Sequence, residues 1–130
     1  MPPLREIAAV AAGGAVGATL RLLLNAWAVR VVPRFPAAGT LAVNVLGCFA
    51  IGVAVTLLDR HDAKHPVRLL LVTGLLGSLT TFSTFGHQTV ELAGEGQPRL
   101  AILNVAANVV VGIAAVLAGL WLGRLLKPAG

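Results

Sequence analysis

Long apolar runs without Asp, Glu, Lys or Arg alternate with short polar segments along the whole chain. The runs cover residues 7–20, 35–58, 69–90 and 100–123. A helix needs about 20 apolar residues to cross a bilayer, and the first run reaches that length by continuing past Arg21. The pattern therefore predicts an all-α integral membrane protein. Its single four-helix transmembrane domain is expected over residues 1–130, with spans at about 5–29, 38–58, 68–92 and 99–123.

Composition strengthens this prediction. The chain is 57% hydrophobic and only 12% charged, which excludes an ordinary soluble globular domain. The net charge of +5 comes from bases scattered through loops and tails, without a basic stripe. Anionic lipid headgroups explain such a distribution better than nucleic acid does. Membrane lipid is thus an expected partner, and nucleic acid is not.

The bases favour one orientation only weakly. With four spans, both ends of the chain lie on one side of the membrane, and that side carries six bases against three on the other. Three acids, Glu6, Asp59 and Asp62, also lie on the richer side. Since loop bases set the orientation of a membrane protein, so modest a bias permits both orientations.

The third run is unusual because hydroxyl side chains and glycines crowd its middle, between Gly77 and Gly86. One interpretation is an interrupted helix, capped by Ser78 or Thr80, whose break exposes carbonyls on one side and N–H groups on the other. The other is a continuous helix whose hydroxyls bond back to carbonyls one turn earlier. Composition leaves both open.

Polar residues elsewhere in the spans are donors rather than carboxylates, which suits an anion and argues against proton antiport. Asn104 and Asn108 are one turn apart and share a helix face, either as a polar track or as interhelical hydrogen-bond partners. Asn44 has the same two interpretations. Arg21 is either an anion-attracting vestibule charge or an anchor at the interface.

Phe82 and Phe85 also share a helix face. Their ring edges carry partial positive charge and can stabilise an anion, although packing is the commoner role of such residues. A single four-helix bundle has no evident room for an aqueous pore, so oligomerisation is expected. The small-residue pairs Gly13/Gly17 and Gly119/Gly123 predict close helix packing, within the chain or between subunits.

Three segments of the chain resemble, in order, the signature segments of the Fluc (CrcB) fluoride channels. They are residues 13–21 (GGAVGATLR), 39–47 (GTLAVNVLG) and 77–85 (GSLTTFSTF). The resemblance implies a fluoride-selective channel of the bacterial plasma (inner) membrane that passively exports cytoplasmic fluoride and confers fluoride resistance. It further implies a broken third helix and an antiparallel, dual-topology homodimer with a structural sodium ion at the dimer interface.

The resemblance also assigns residues. Asn44, Phe82 and Phe85 match pore residues, Ser83 and Thr84 lie in the matching hydroxyl segment, and Arg21 matches a vestibule arginine. Asn108 falls where the polar track of the fourth helix would run. Gly77 and Thr80 match positions whose backbone carbonyls hold the sodium ion.

Two departures from the family pattern concern the polar track. Gln88 stands where an acid is expected, and the fourth helix has Asn104, Asn108 and Gly112 where hydroxyl or other polar groups are usual. An amide can donate to fluoride, whereas a carboxylate cannot, so conduction is still expected.

Two alternative functions compete with the channel. A small multidrug-type exporter would need a carboxylate embedded in the membrane, and a non-transporting scaffold gives no reason for the cluster of hydroxyls and phenylalanines. An enzyme is not expected.

Overall fold

The computed structural model describes residues 1–127 and contains four helical segments long and apolar enough to cross a membrane. They are Leu4–Val31, Ala38–Leu57, Pro66–Gly94 and Pro98–Leu126, called here the first to fourth spans. All regular secondary structure in these residues is helical, so the prediction of four apolar membrane helices is confirmed. The last three residues of the predicted domain, 128–130, lie outside the described residues.

The third span is interrupted near its middle. Its first half covers 66–79 and is π-helical over Leu69–Leu76. Thr80 and Thr81 are then extended, with ψ angles of 155° and 112°. The second half is an α-helix over Phe82–Gly94. The structure thus has the interrupted helix, one of the two interpretations that composition left open.

Close backbone contacts join the spans in pairs, the first span with the first half of the third and the second span with the fourth. A methyl group added at Gly13 or Gly17 would lie 2.1 Å from a carbonyl oxygen of the third span, and one at Gly119 would lie 2.1 Å from the Phe49 oxygen of the second. Gly123 packs against the Thr56 side chain, whose Cβ would lie 2.7 Å from an added methyl group. The small-residue pairs therefore serve packing within the chain.

The buried interior is small and most large apolar side chains face outward, as a lipid-embedded protein requires. One buried cluster, formed by Val43, Leu76 and Leu79, lies immediately before the break. Lys127 pairs with Asp59 beyond the ends of the fourth and second spans, and this hydrogen-bonded ammonium holds the pKa of the Asp59 carboxyl below its ordinary value. The fourth span has a π-helical turn over Ala107–Val111, a feature frequent at functional sites.

Candidate functional site

The break redirects two backbone N–H groups to side-chain acceptors. In a continuous helix the N–H of Thr81 would bond to the Gly77 carbonyl, and that of Thr84 to the Thr80 carbonyl. Here Thr81 N–H donates to Asn44 Oδ1 at 2.9 Å, and Thr84 N–H donates to Thr81 Oγ1 at 3.2 Å. The carbonyls of Gly77 and Thr80 consequently lose their helical partners.

Asn44 of the second span clamps the extended backbone at Thr81. Its Oδ1 accepts from the Thr81 N–H, and its Nδ2 donates to the Thr81 carbonyl at 3.3 Å. Two packing contacts hold the second span at this depth. Val43 is fully buried beside the break, and Gly47 lies so close to Thr80 that an added Cβ would be 2.2 Å from the Thr80 methyl carbon.

Thr81 caps the second half of the third span, and sequence reasoning missed it. The expectation that Ser78 or Thr80 is the cap is wrong, because the extended backbone at 81 places the Thr81 hydroxyl over the Thr84 N–H. Thr80 instead donates to the Leu76 carbonyl at 3.1 Å and closes the first half. The sequence carried no signal that selects Thr81, because the capping residue is fixed by the start of the second helix at Phe82, which only the structure shows.

A hydroxyl cluster surrounds this cap. Thr81 Oγ1 donates to Thr84 Oγ1 at 3.0 Å and lies 3.2 Å from Ser83 Oγ. Because Thr84 accepts within the cluster, its own hydroxyl proton is free to serve another acceptor. The first N–H groups of a helix also lack partners within the helix, and this end of the helix dipole is positive. The start of the second half therefore favours an anion.

A cavity of about 300 Å³ opens beside the break. Phe85 is buried at 8% exposure, whereas Phe82 is 82% exposed, and their ring centroids are 5.4 Å apart with the planes tilted by 59°. The cavity is lined by six of the predicted site residues together with Thr81 and apolar neighbours; the six are Asn44, Gly77, Thr80, Phe82, Phe85 and Asn108.

The remaining predicted site residues lie elsewhere. Ser83 and Thr84 belong to the adjoining hydroxyl cluster. Arg21 is half-buried on the first span and does not line the cavity. Gln88 faces a separate, smaller cavity with Glu91 and Glu95, and its Oε1 is buried without a hydrogen-bond partner in the described residues.

The two amides of the fourth span, Asn108 and Asn104, extend the hydrogen bonds that Asn44 makes at the break. Asn44 Nδ2 donates to Asn108 Oδ1 at 2.9 Å, and Asn108 Nδ2 donates to Asn104 Oδ1 at 3.0 Å. Asn104 Nδ2 donates to Thr89 Oγ1 at 2.9 Å, and Thr89 donates to the Phe85 carbonyl at 2.8 Å. We call Asn44, Asn108, Asn104 and Thr89 the amide chain. These amides thus make interhelical hydrogen bonds, and two of them also line the cavity.

Fold and site together define a small helical membrane protein with a broken helix, an arrangement that other membrane proteins use to bind ions. The family described as CrcB-like protein, Camphor Resistance (CrcB), matches residues 8–120. The chain belongs to this CrcB family.

Several curated relatives carry the name fluoride-specific ion channel FluC. The one from Agrobacterium fabrum is 49% identical over 121 residues, covering 92% of this chain and 96% of the relative. That from Rhizobium etli is 47% identical over 119 residues, covering 90% and 94%. That from Chloroflexus aurantiacus is 45% identical over 125 residues, covering 93% and 97%.

Proposed function

We propose that this chain is a fluoride-specific ion channel of the bacterial inner membrane, through which cytoplasmic fluoride leaves passively down its electrochemical gradient. The observation that carries the proposal is the break at Thr80 and Thr81, where a helix start and two aromatic rings meet at one cavity, beside a cluster of hydroxyl groups. Family membership and relatives named as fluoride channels support the same function.

The proposed fluoride path runs along the second half of the third span. Fluoride is strongly hydrated, and a site that removes its water must offer donors in return. The Thr84 hydroxyl and the positive start of this helix supply such donors, and Ser83 lies in the same cluster. Ring edges of Phe82 and Phe85 add partial positive charge within apolar walls that keep bulk water out.

Three further residues complete the proposed path. Asn44 and Asn108 present amide groups to the same cavity. Arg21, on the first span, is proposed as a vestibule charge that raises the local concentration of anions. Its half-buried position on the first span, outside the cavity, suits action over a distance rather than contact with fluoride inside the path.

A structural sodium ion fits the freed carbonyls. Unwound backbone carbonyls bind sodium in other membrane proteins, and those of Gly77 and Thr80 are among the groups that lose their helical partners here. One chain would contribute these two carbonyls to the site. A second copy related by a twofold axis would supply the same two and complete the ring of oxygens around the cation.

The same geometry supports an antiparallel homodimer. The cavity is open on the side where Phe82 is 82% exposed, so one chain alone does not enclose a pore. Since the loop bases permit both orientations, two copies can enter the membrane in opposite directions and pair.

Growth on fluoride tests the proposal in cells. A bacterium that lacks its own fluoride exporter is expected to tolerate more fluoride when it produces this chain, and to show no change in tolerance to chloride. Equal fluoride sensitivity with and without the chain, although membranes contain the protein, would contradict the proposed function.

A further inference from the structure

We propose that Asn104 and Thr89 are positioning residues of the fluoride path: they orient the Asn108 and Asn44 amides, and so hold the helix break in shape, without touching the ion. The inference rests on the proposed function, because it assigns these residues an effect on fluoride passage. It concerns residues that stand outside the cavity and that the sequence did not single out as a pair.

Backbone groups at both ends fix the direction of the amide chain. At one end the Thr81 N–H can only donate, so Asn44 must turn its Oδ1 toward it. At the other end the Phe85 carbonyl can only accept, so the Thr89 hydroxyl donates to it and accepts from Asn104. Each amide between these ends consequently has a single orientation in which every hydrogen bond is made.

Asn104 acts through its neighbours because it is sealed from the cavity. Its side chain is 0% exposed. Its Oδ1 and its backbone carbonyl both accept from Asn108 Nδ2, at 3.0 and 2.9 Å, and its Nδ2 donates to Thr89. Fully satisfied buried networks of this kind rigidify a structure, and removing one member weakens the others. Asn44 and Asn108, by contrast, line the cavity and receive the orientation that Asn104 imposes.

The amide chain also determines which hydrogen bond of Asn44 fluoride can replace. Both Nδ2 protons of Asn44 have acceptors, Asn108 Oδ1 at 2.9 Å and the Thr81 carbonyl at 3.3 Å. Because Asn104 holds Asn108 in place, the longer bond to Thr81 is the weaker of the two. A fluoride ion beside Asn44 would replace the Thr81 carbonyl as the acceptor of this weaker bond. If Asn108 were loosened, the two bonds of Asn44 would no longer differ in strength.

Substitution at Thr89 tests this inference without altering the cavity lining. Thr89→Val keeps the shape but removes the hydroxyl, and Thr89→Ser keeps the hydroxyl. Fluoride efflux from liposomes is expected to fall about five-fold in Thr89→Val, the factor that corresponds to one ordinary net hydrogen bond, and to be retained in Thr89→Ser. Thr19→Val is the matched control, because Thr19 makes the same back-bond to a carbonyl, at 2.8 Å, but bonds to no other side chain in the described part of the protein.

A double-mutant comparison separates positioning from simple helix packing. In an Asn108→Ala background the amide chain is already cut, so Thr89→Val is expected to cause no further loss of flux. An equal loss in both backgrounds, or wild-type flux in Thr89→Val, would overturn the inference. Thr89→Ala replaces Thr89→Val if the latter is not monodisperse.

Side-chain amide signals of Asn in NMR spectra keep the inference testable even if the protein passes no fluoride. Thr89→Val is expected to shift the Asn104 and Asn108 amide signals, and Thr89→Ser to leave them in place. Absent flux with shifted signals would refute the fluoride function alone. Unshifted signals would refute the positioning role.

Discussion

At the residue scale, one side chain from another span decides the shape of the site. Asn44 supplies both hydrogen bonds that the Thr81 backbone loses when the helix breaks. The family segments predicted Asn44, Phe82 and Phe85 as site residues, and that role stays a prediction. Thr81 could not be selected from the sequence, because which of several neighbouring hydroxyls caps a helix depends on where the backbone turns. The bond between Asn104 and Thr89 likewise depends on the packing of two helices.

Removing the Asn44 amide should therefore cost both stability and conduction. In Asn44→Ala the Thr81 N–H and carbonyl stay buried without partners, which costs about 1–3 kcal/mol. We expect a lower free energy of unfolding in detergent and a strongly reduced fluoride flux. Asn25→Ala is the control, since the Asn25 Oδ1 has no hydrogen-bond partner in the described residues. Equal effects of the two substitutions would contradict the claim that Asn44 stabilises the backbone at Thr81.

The two phenylalanines should respond differently to the same substitution. Phe82→Ile and Phe85→Ile both remove a ring edge and are expected to reduce flux. Only Phe85 is buried within the chain, so only Phe85→Ile should lower the stability of the subunit, by about 1 kcal/mol. Thermal unfolding and liposome flux measure the two effects. Phe49→Ile, outside the cavity, serves as the control. Normal flux in both Phe82→Ile and Phe85→Ile would show that the two rings serve only in packing.

At the scale of the element, the break in the third span depends on a tertiary contact. Gly, Ser and Thr between 77 and 86 are compatible with either a continuous or an interrupted helix. The choice depends on Asn44, which lies 37 residues away from Thr81 in the chain, and a local pattern contains no such information. Hydropathy did predict the four apolar helices, because a helix that crosses the lipid core needs about 20 mostly apolar residues.

Gly47 tests whether close packing of the second span maintains the break. In Gly47→Ala the new methyl would lie 2.2 Å from the Thr80 methyl carbon, and the branched Thr80 side chain has little freedom to move. Overpacking of this kind costs about 1–3 kcal/mol, so both stability and flux should fall. Gly94→Ala meets no atom within 4 Å and should leave both unchanged. Comparable flux in the two variants would show that the contact between Gly47 and Thr80 does not maintain the break.

At the scale of the whole molecule, a single chain has an open cavity and would supply half of the proposed cation site. This incompleteness follows from the helix break, which frees the Gly77 and Thr80 carbonyls; no other donor to them is seen in residues 1–127. Pairing, topology and sodium therefore stay proposals. The size of the bundle predicted an oligomer and the loop bases permitted both orientations, but only the family resemblance suggested the antiparallel pair and the sodium ion.

Sodium removal tests the assembly directly. Protein purified with choline in place of sodium is expected to dissociate or to lose flux, because choline is too large for a ring of carbonyls, and restored sodium should reverse the change. Cross-linking should capture dimers whose subunits expose the same terminus to opposite sides of the membrane. A stable, conducting protein without sodium would contradict the cation site, and parallel dimers would contradict the antiparallel arrangement.

Fluoride efflux from liposomes tests the central claim most directly. Purified protein, reconstituted in sodium-containing buffer and driven by an outward fluoride gradient, should release fluoride far faster than protein-free liposomes do. Chloride-loaded liposomes should retain their contents under the same gradient. Fluoride release equal to that of empty liposomes, or chloride release as fast as fluoride release, would contradict a fluoride-specific channel.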